Sequence, residues 1–205
     1  MAPLIPAILG FGVSFGVLAR SAGLDAWATT AMSLTTFAGS AQFAAVSILG
    51  AGGGVTAAVV AAVLLNARYV ALGVSVASVF RGPALRRLLE SQLVIDESWA
   101  LGTTAPGRFD RRLLLGAGAV CYLFWVLGTV VGVLGASALG DPTVLGLDAA
   151  FPALFLALLV AQLRSRRAVL AAVGGALVAL VLLPLTPLGV PIIAAAAVPL
   201  LGLRR

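Results

Sequence analysis

The feature that most constrains this chain is its series of long apolar runs, separated mainly by glycines, prolines and arginines. Several runs approach the roughly 20 residues that a helix needs to cross a bilayer. The candidate spans are residues 4–18, 27–49, 55–80, 113–134, 149–163, 168–183 and 188–203. Only 10% of the residues are charged, against about 25% in soluble domains. We predict an all-α polytopic membrane protein with about seven transmembrane helices, forming one transmembrane domain over residues 1–205.

The arginines predict an orientation in the membrane. They occur in the segments after the first, third, fifth and seventh candidate spans, and in no other connection. Arginine-bearing connections stay in the cytoplasm and also suit lipid headgroups, so no nucleic-acid partner is expected. The alternation predicts an N-terminus outside the cell and a cytoplasmic C-terminus. The N-terminal residues lack a basic segment and are predicted to be a first span rather than a signal peptide.

A short glycine pattern occurs twice. Gly12-x-x-x-Gly16 is repeated as Gly128-x-x-x-Gly132, and Asp25 is repeated as Asp141 at the same offset. The first and fourth spans are predicted to run in opposite directions, so the repeat would be an inverted three-helix repeat, as in many secondary transporters. Chance among 24 glycines and simple close packing of two helices remain open as alternatives.

One charged residue, Arg68, falls near the middle of the third candidate span. An arginine at a helix centre costs about 2.5–3.5 kcal/mol on insertion scales, and Arg81 marks the end of this span about 20 Å away. Arg68 is therefore predicted to face the protein interior. It either binds an anionic group or lines an ion path, or it forms a buried pair with Asp96 or Glu97 that joins two elements.

Two further segments carry polar residues among apolar ones. Asp96 and Glu97 lie in a predicted re-entrant or interfacial segment near residues 88–105, where they either carry protons or bind an amine, or belong to a solvated loop. In the stretch FAGSAQF, Gly39, Ser40 and Gln42 interrupt the second span. This segment either breaks the helix beside a substrate or supplies hydrogen bonds between helices.

The composition argues against several kinds of site. There is one cysteine and no histidine, so neither a disulfide framework nor a zinc or haem site is expected. The chain has no nucleotide-binding loop and no nucleophile–base pair, and it contains no lysine. We therefore expect no enzyme activity and no cofactor.

The segments FGVLAR, MSLTTFAGSAQFAAV, LLNARYVALG and IDESWAL resemble the AzlC-type (azaleucine resistance) branched-chain amino acid permease family over nearly the whole chain. The resemblance implies a multi-pass transporter of the bacterial inner membrane. It also implies export of leucine, isoleucine, valine or analogues, with a small AzlD-type membrane subunit as partner. The family often has histidine after the arginine of the N-x-R block, where this chain has Tyr69.

The family's blocks, joined to the chemistry of a zwitterionic substrate, give a predicted site. The residues predicted to bind substrate are Phe37, Gly39, Ser40, Gln42, Phe43, Asn66 and Arg68, and Asp96 and Glu97 are predicted to couple transport to protons or to bind the amine. Two other functions stay open: a non-transporting scaffold or assembly subunit, and a transporter of another small hydrophobic amine or acid. A homo-oligomer also stays open, and the sequence fixes neither the amino acid, the direction nor the coupling ion.

Overall fold

The computed structural model describes residues 4–105, 107–139 and 165–186, with isolated positions between 153 and 163 and between 190 and 198. The helices are α1 Leu4–Ser21, α2 Ala26–Thr35, α3 Gly39–Gly50, α4 Val55–Asn66, α5 Arg68–Val76, α6 Ala84–Ser91, α7 Asp96–Gly102, α8 Arg111–Leu139 and α9 Arg166–Leu182. A 3-10 turn, Ala77–Val79, follows α5. A small antiparallel hairpin, β1 Thr103–Ala105 and β2 Arg108–Phe109, precedes α8. This hairpin departs from the predicted all-α class.

Three of the described helical segments are long and apolar enough to cross a membrane: Leu4–Ser21, Val55–Val79 and Arg111–Ala136. They correspond to the first, third and fourth predicted spans. Helix α9 covers most of the sixth. Most of the fifth and seventh spans, and Asp141 of the glycine repeat, lie outside the described residues, so the number of about seven helices stays a prediction.

Helices α1 and α8 pack together along the two glycine patterns. A Cβ atom at Gly12 would lie 2.6 Å from the carbonyl oxygen of Trp125 and 3.1 Å from the Cα of Gly128. One turn later, a Cβ at Gly16 would collide with the carbonyl of Thr129 and the backbone of Gly132. Only glycine allows this backbone approach, as in other small-xxx-small interfaces.

The order of these contacts gives the relative direction of the two helices. Gly12 meets Gly128 and Gly16 meets Gly132, so α1 and α8 run parallel. Two helices related by an inverted repeat would run in opposite directions. The inverted relation predicted for these two helices therefore does not hold, and the alternative of close packing through small residues describes the pair.

The predicted second span, residues 27–49, is not one straight helix. Helices α2 and α3 fold back on each other, because the side chains of Ser33 and Gln42 are joined by a 3.1 Å hydrogen bond. At the open end of this pair, a Cβ at Gly50 would lie 3.2 Å from the Cβ of Ala22, which precedes α2. The α2–α3 pair is therefore a helical hairpin that enters and leaves on the side where α1 ends.

Local chemistry explains where this hairpin starts and turns. Asp25 caps α2, its carboxylate accepting a 2.6 Å hydrogen bond from the N–H of Ala28. At the tip, Phe37 adopts a φ of 37°, in the left-handed region that few non-glycine residues enter. The amide oxygen of Gln42 accepts a bond from the N–H of Ala38 at the start of α3. The interruption expected at Gly39–Gln42 is thus present, and it falls just before Gly39.

The next span runs antiparallel to α3, because α4 packs against α3 and only residues 51–54 connect the two helices. Ala45, Ile48, Ala58 and Ala61 form one apolar cluster between them. The helix of this span is interrupted at Ala67. There the N–H of Ala67 donates to the carbonyl of Leu64, and the N–H of Val70 donates to the carbonyl of Ala67, so that both hydrogen bonds span three residues instead of the usual four. Arg68 is the first residue of α5 after this interruption.

Helix α7 packs against the first half of α8. Backbone at Leu93 meets Gly118, and Gly102 meets Leu114, so α7 runs antiparallel to α8. Residues 92–95 therefore lie deep beside α8, and α7 returns toward the end where α8 begins. This geometry agrees with the predicted re-entrant segment near residues 88–105.

These directions bear on one predicted feature of the orientation. Arg20 lies at the end of α1, whereas Arg111 lies at the start of the parallel helix α8. The two arginines are therefore at opposite ends of the bundle. The expectation that the arginines after the first and third spans share one side of the membrane does not fit this arrangement, in which α2–α3 returns to its side of entry, and the orientation of the chain stays a prediction.

Candidate transport cavity

A cavity of about 440 Å³ lies where the tip of the α2–α3 hairpin, the interruption at Ala67 and the start of α7 meet. Its walls also include α1 and α8. The lining residues are Ile8, Phe11, Phe37, Gly39, Ser40, Phe43, Arg68, Tyr69, Ile95, Asp96, Glu97, Cys121 and Trp125. Seven of the nine residues predicted to form the site are among them.

Arg68 joins two sides of this cavity. Its guanidinium lies 2.8 Å from the carboxylate of Asp96 on α7, and it donates a 3.0 Å hydrogen bond to the hydroxyl of Ser40 on α3. It also lies 5.1 Å from the ring centroid of Tyr69, within cation–π range. The arginine therefore has the acidic partner expected for it, and both members of the pair still face the cavity.

Glu97 forms a second acidic group on the same wall. It is part of α7, which is not one of the three candidate spans. Burial raises the pKa of the Glu97 carboxyl, and the charge of neighbouring Asp96 raises it further, while Arg68 acts in the opposite direction. The two adjacent acids thus differ: Asp96 holds Arg68, and Glu97 binds a proton more readily than a free glutamate.

Another part of the cavity lining is aromatic. The ring of Phe43 meets the rings of Phe15 and Trp125 edge-on, with centroids 5.7 and 6.2 Å apart. Gly39 lies against the indole, since a Cβ there would come within 3.0 Å of the Trp125 ring. A ligand in this cavity would meet both charged groups and an apolar aromatic surface.

Gln42 and Asn66 do not line this cavity. The amide of Gln42 is fully buried and bonds Ser33 and Ala38, and the hydroxyl of Ser33 is in turn 2.8 Å from that of Thr129 on α8. The geometry thus favours the role that the sequence left as an alternative, hydrogen bonding between helices. Asn66 points into a neighbouring cavity on the far side of Tyr69.

Sequence reasoning missed the contributions of α1 and α8. Phe11, Cys121 and Trp125 reach the cavity from helices whose sequences show only apolar residues at these positions. The usable signal was the glycine pattern, because it brings α1 and α8 together and places Trp125 one turn before Gly128.

A sequence profile of the family described as AzlC protein matches residues 3–139. The chain belongs to the AzlC family. The match covers α1 to α8, and so includes every element that lines the cavity. This confirms the resemblance noted in the sequence.

Several relatives of this AzlC-family chain are membrane proteins by description. An uncharacterized membrane protein of Archaeoglobus fulgidus is 35% identical over 98% of this chain and 90% of its own length. The branched-chain amino acid transport protein AzlC of Bacillus subtilis is 28% identical over 78% of this chain. The inner membrane protein YgaZ of Escherichia coli is 28% identical over 85% of this chain and 76% of its own length.

The aligned region spans 64% of the length of the Bacillus protein. No solved structure matches this AzlC-family chain. With three candidate spans and relatives described as membrane proteins, the chain is a membrane protein.

Proposed function

We propose that the chain is a secondary transporter of branched-chain amino acids in the bacterial inner membrane, acting as an exporter with a small AzlD-type subunit. The observation that carries the proposal is the cavity whose lining combines Arg68, Asp96 and Glu97 with aromatic residues. The Bacillus relative is described as a branched-chain amino acid transport protein, which agrees with this chemistry.

The charged and aromatic parts of the lining suit the two halves of such a substrate. The carboxylate would bind the guanidinium of Arg68 and the N–H groups of the first turn of α3, which have no partner within the helix. The ammonium would bind Asp96, which is released when the substrate takes its place on Arg68. The aliphatic side chain would lie against Phe43 and Trp125, where burying apolar surface stabilises the complex by about 25 cal/mol per Å².

Glu97 supplies a route for proton coupling. Its carboxyl lies beside the pair of Arg68 and Asp96, and burial raises its pKa, so that it takes up a proton more readily than a free glutamate when a pH gradient is applied. A proton bound at Glu97 removes one negative charge from this wall and thereby weakens its attraction for an ammonium group. Substrate and proton binding would oppose each other, which is what antiport requires.

The test is transport by reconstituted protein. Proteoliposomes containing the chain and an AzlD-type subunit are loaded with radiolabelled leucine, isoleucine or valine, and efflux is followed with and without a pH gradient. We expect efflux that is faster when the outside is acidic. Absence of gradient-dependent flux for all three amino acids would overturn the proposal.

The variant Arg68→Gln separates transport from a scaffold role. It removes the guanidinium, so we expect efflux to fall to the rate of empty liposomes while the purified protein stays folded and bound to its partner. Arg81→Gln, which alters an exposed arginine at the end of the same span, is the matched control and should keep wild-type flux. Loss of assembly in Arg68→Gln, with transport retained in what assembles, would favour a scaffold.

A further inference from the structure

A second cavity, of about 620 Å³, adjoins the first. It lies between the α4–α5 span and the segment of α6 and the following turn. Two features link it to the first cavity. Tyr69 lines both, and Val94 of the second is followed directly by Ile95 of the first. The two cavities therefore adjoin at Tyr69 and at the backbone of Val94 and Ile95.

The second cavity reaches the end of the bundle that carries most of the arginines found among the described residues between 4 and 139. From Tyr69 it passes Gly73 and Ala77 to Phe80, and then to Ala84 and Arg87 on α6. Arg86 and Arg111 lie at the same end, where both bond Glu90. Arginines cluster on the cytoplasmic side of membrane proteins, so the cavity opens toward the cytoplasm.

Polar groups line this passage at several depths. Deepest is Asn66, whose side-chain oxygen is buried and accepts no hydrogen bond from the residues that the structure describes. Ser91 and Arg87 follow nearer the mouth. A buried polar atom without a partner costs about 1–3 kcal/mol, a cost that is removed if water or a polar substrate occupies the cavity.

We infer that the second cavity is the cytoplasmic vestibule of the transport path and that Tyr69 is the gate between vestibule and substrate cavity. The inference rests on the proposed transport function. Tyr69 suits this role because it contacts Arg68 by its ring and by a 3.5 Å hydrogen bond. When a substrate carboxylate binds Arg68, that contact changes, and the ring is free to turn. Zwitterionic amino acids and water are the occupants that pass it.

Two cysteine experiments test the inference in the complex with its partner subunit. Cys121 is the only cysteine and lines the substrate cavity. In a Cys121→Ala background, Gly73→Cys places a thiol in the vestibule, and Gly116→Cys places one on the exposed outer face of α8 at a similar depth; a Cβ meets nothing within 4 Å at either position. A charged, membrane-impermeant thiosulfonate is applied to inside-out vesicles.

We expect labelling of Gly73→Cys from the cytoplasmic side and none of Gly116→Cys, which faces lipid. Because Cys121 is buried, the reporter for the substrate cavity is Phe11→Cys in the Cys121→Ala background, at a partly exposed position of the cavity lining. Tyr69→Ala should make this thiol accessible from the same side, whereas Tyr69→Phe, which keeps the ring, should not. Failure to label Gly73→Cys, or equal labelling of Phe11→Cys with and without Tyr69→Ala, overturns the inference.

These outcomes do not depend on knowing the substrate. If labelling follows the expected pattern while no branched-chain amino acid is transported, the vestibule and gate stand and the proposed substrate fails. If transport is found but Gly73→Cys stays unlabelled, the substrate proposal stands and the path to the cytoplasm lies elsewhere.

Discussion

At the scale of single residues, the two acidic residues of α7 differ in their contacts and in their burial. Asp96 pairs with Arg68 at 2.8 Å, and its side chain is 47% exposed to the cavity and its surroundings. Glu97 is more buried, and burial raises its pKa. The sequence predicted the same role for both carboxylates, because it does not show which of two adjacent acidic residues faces the guanidinium of Arg68.

The pH dependence of Glu97 can be predicted with its sign. Because the pKa of the folded state is raised above the unfolded value, the folded protein binds more protons between the two values, and stability falls as pH rises through that window. Glu97→Gln should remove this part of the pH dependence of Tm, measured in detergent from pH 4 upward. It should also leave leucine exchange intact while abolishing its acceleration by a pH gradient.

Asp96→Asn is the matched variant for that experiment. It keeps Glu97 and its titration but removes the partner of Arg68, so leucine exchange itself should fall. If Glu97→Gln transports with unchanged gradient dependence, Glu97 is not the coupling group.

At the scale of elements, the tip of the α2–α3 hairpin depends on Gln42. Gln42→Leu removes two buried hydrogen bonds and leaves Ala38 N–H without its acceptor. We expect a loss of about 1–3 kcal/mol in stability, measured by thermal unfolding in detergent. Gln92→Leu is the control: its amide bonds the Thr35 carbonyl at the same turn but is partly exposed, so its effect should be smaller. Equal effects would mean that burial at Gln42 is unimportant.

The contact of α1 with α8 depends on glycine. Gly128→Ala would place a Cβ against the carbonyl of Leu9 and 3.0 Å from the Cα of Gly12, forcing the helices apart. Overpacking of this kind costs about 1–3 kcal/mol, which should lower Tm in detergent. Gly116→Ala, where a Cβ has open space, should not lower it. A Gly128→Ala protein as stable as wild type would show that the interface adjusts.

The sequence predicts where these elements lie better than it predicts the direction in which each one runs. Hydropathy located the apolar segments, and Arg68 with Asp96 could be paired because an intramembrane charge needs a partner. Hydropathy does not show, however, whether an apolar segment crosses the membrane or turns back. The run at 27–49 is long enough to cross a bilayer, and it is the bond between Ser33 and Gln42, together with the approach of Gly50 to Ala22, that shows that it folds back.

At the scale of the whole molecule, the helix directions predict a new orientation. With α2–α3 and the α6–α7 segment each returning to its own side, α1, the α4–α5 span and α8 are the only crossings among residues 4–139 that the structure describes. The arginines around α6 and the start of α8 are then cytoplasmic, and so is the N-terminus, in contrast to the orientation predicted from the sequence.

Cysteine substitutions at two exposed alanines test this orientation. In the Cys121→Ala background, Ala26→Cys at the start of α2 and Ala84→Cys at the start of α6 are both exposed. An impermeant thiol reagent should label Ala26→Cys only from outside the cell and Ala84→Cys only from the cytoplasm. Labelling of both from one side would restore the orientation in which residues 27–49 cross the membrane.

The glycine contact has one further consequence. The backbones of α1 and α8 touch directly at Gly12, Gly16, Gly128 and Gly132, with no side chain between them. Helices that pack through interlocking side chains can slide to another packing arrangement, but this interface has no such side chains. We therefore expect these two helices to move as one rigid body. Opening and closing of the substrate cavity would then depend on the hairpin tip at Phe37 and on the turn before α7. Small local movements of these two segments at mid-membrane would expose the cavity to one side of the membrane and then to the other. Rocking of the two central helices, α1 and α8, would not be needed.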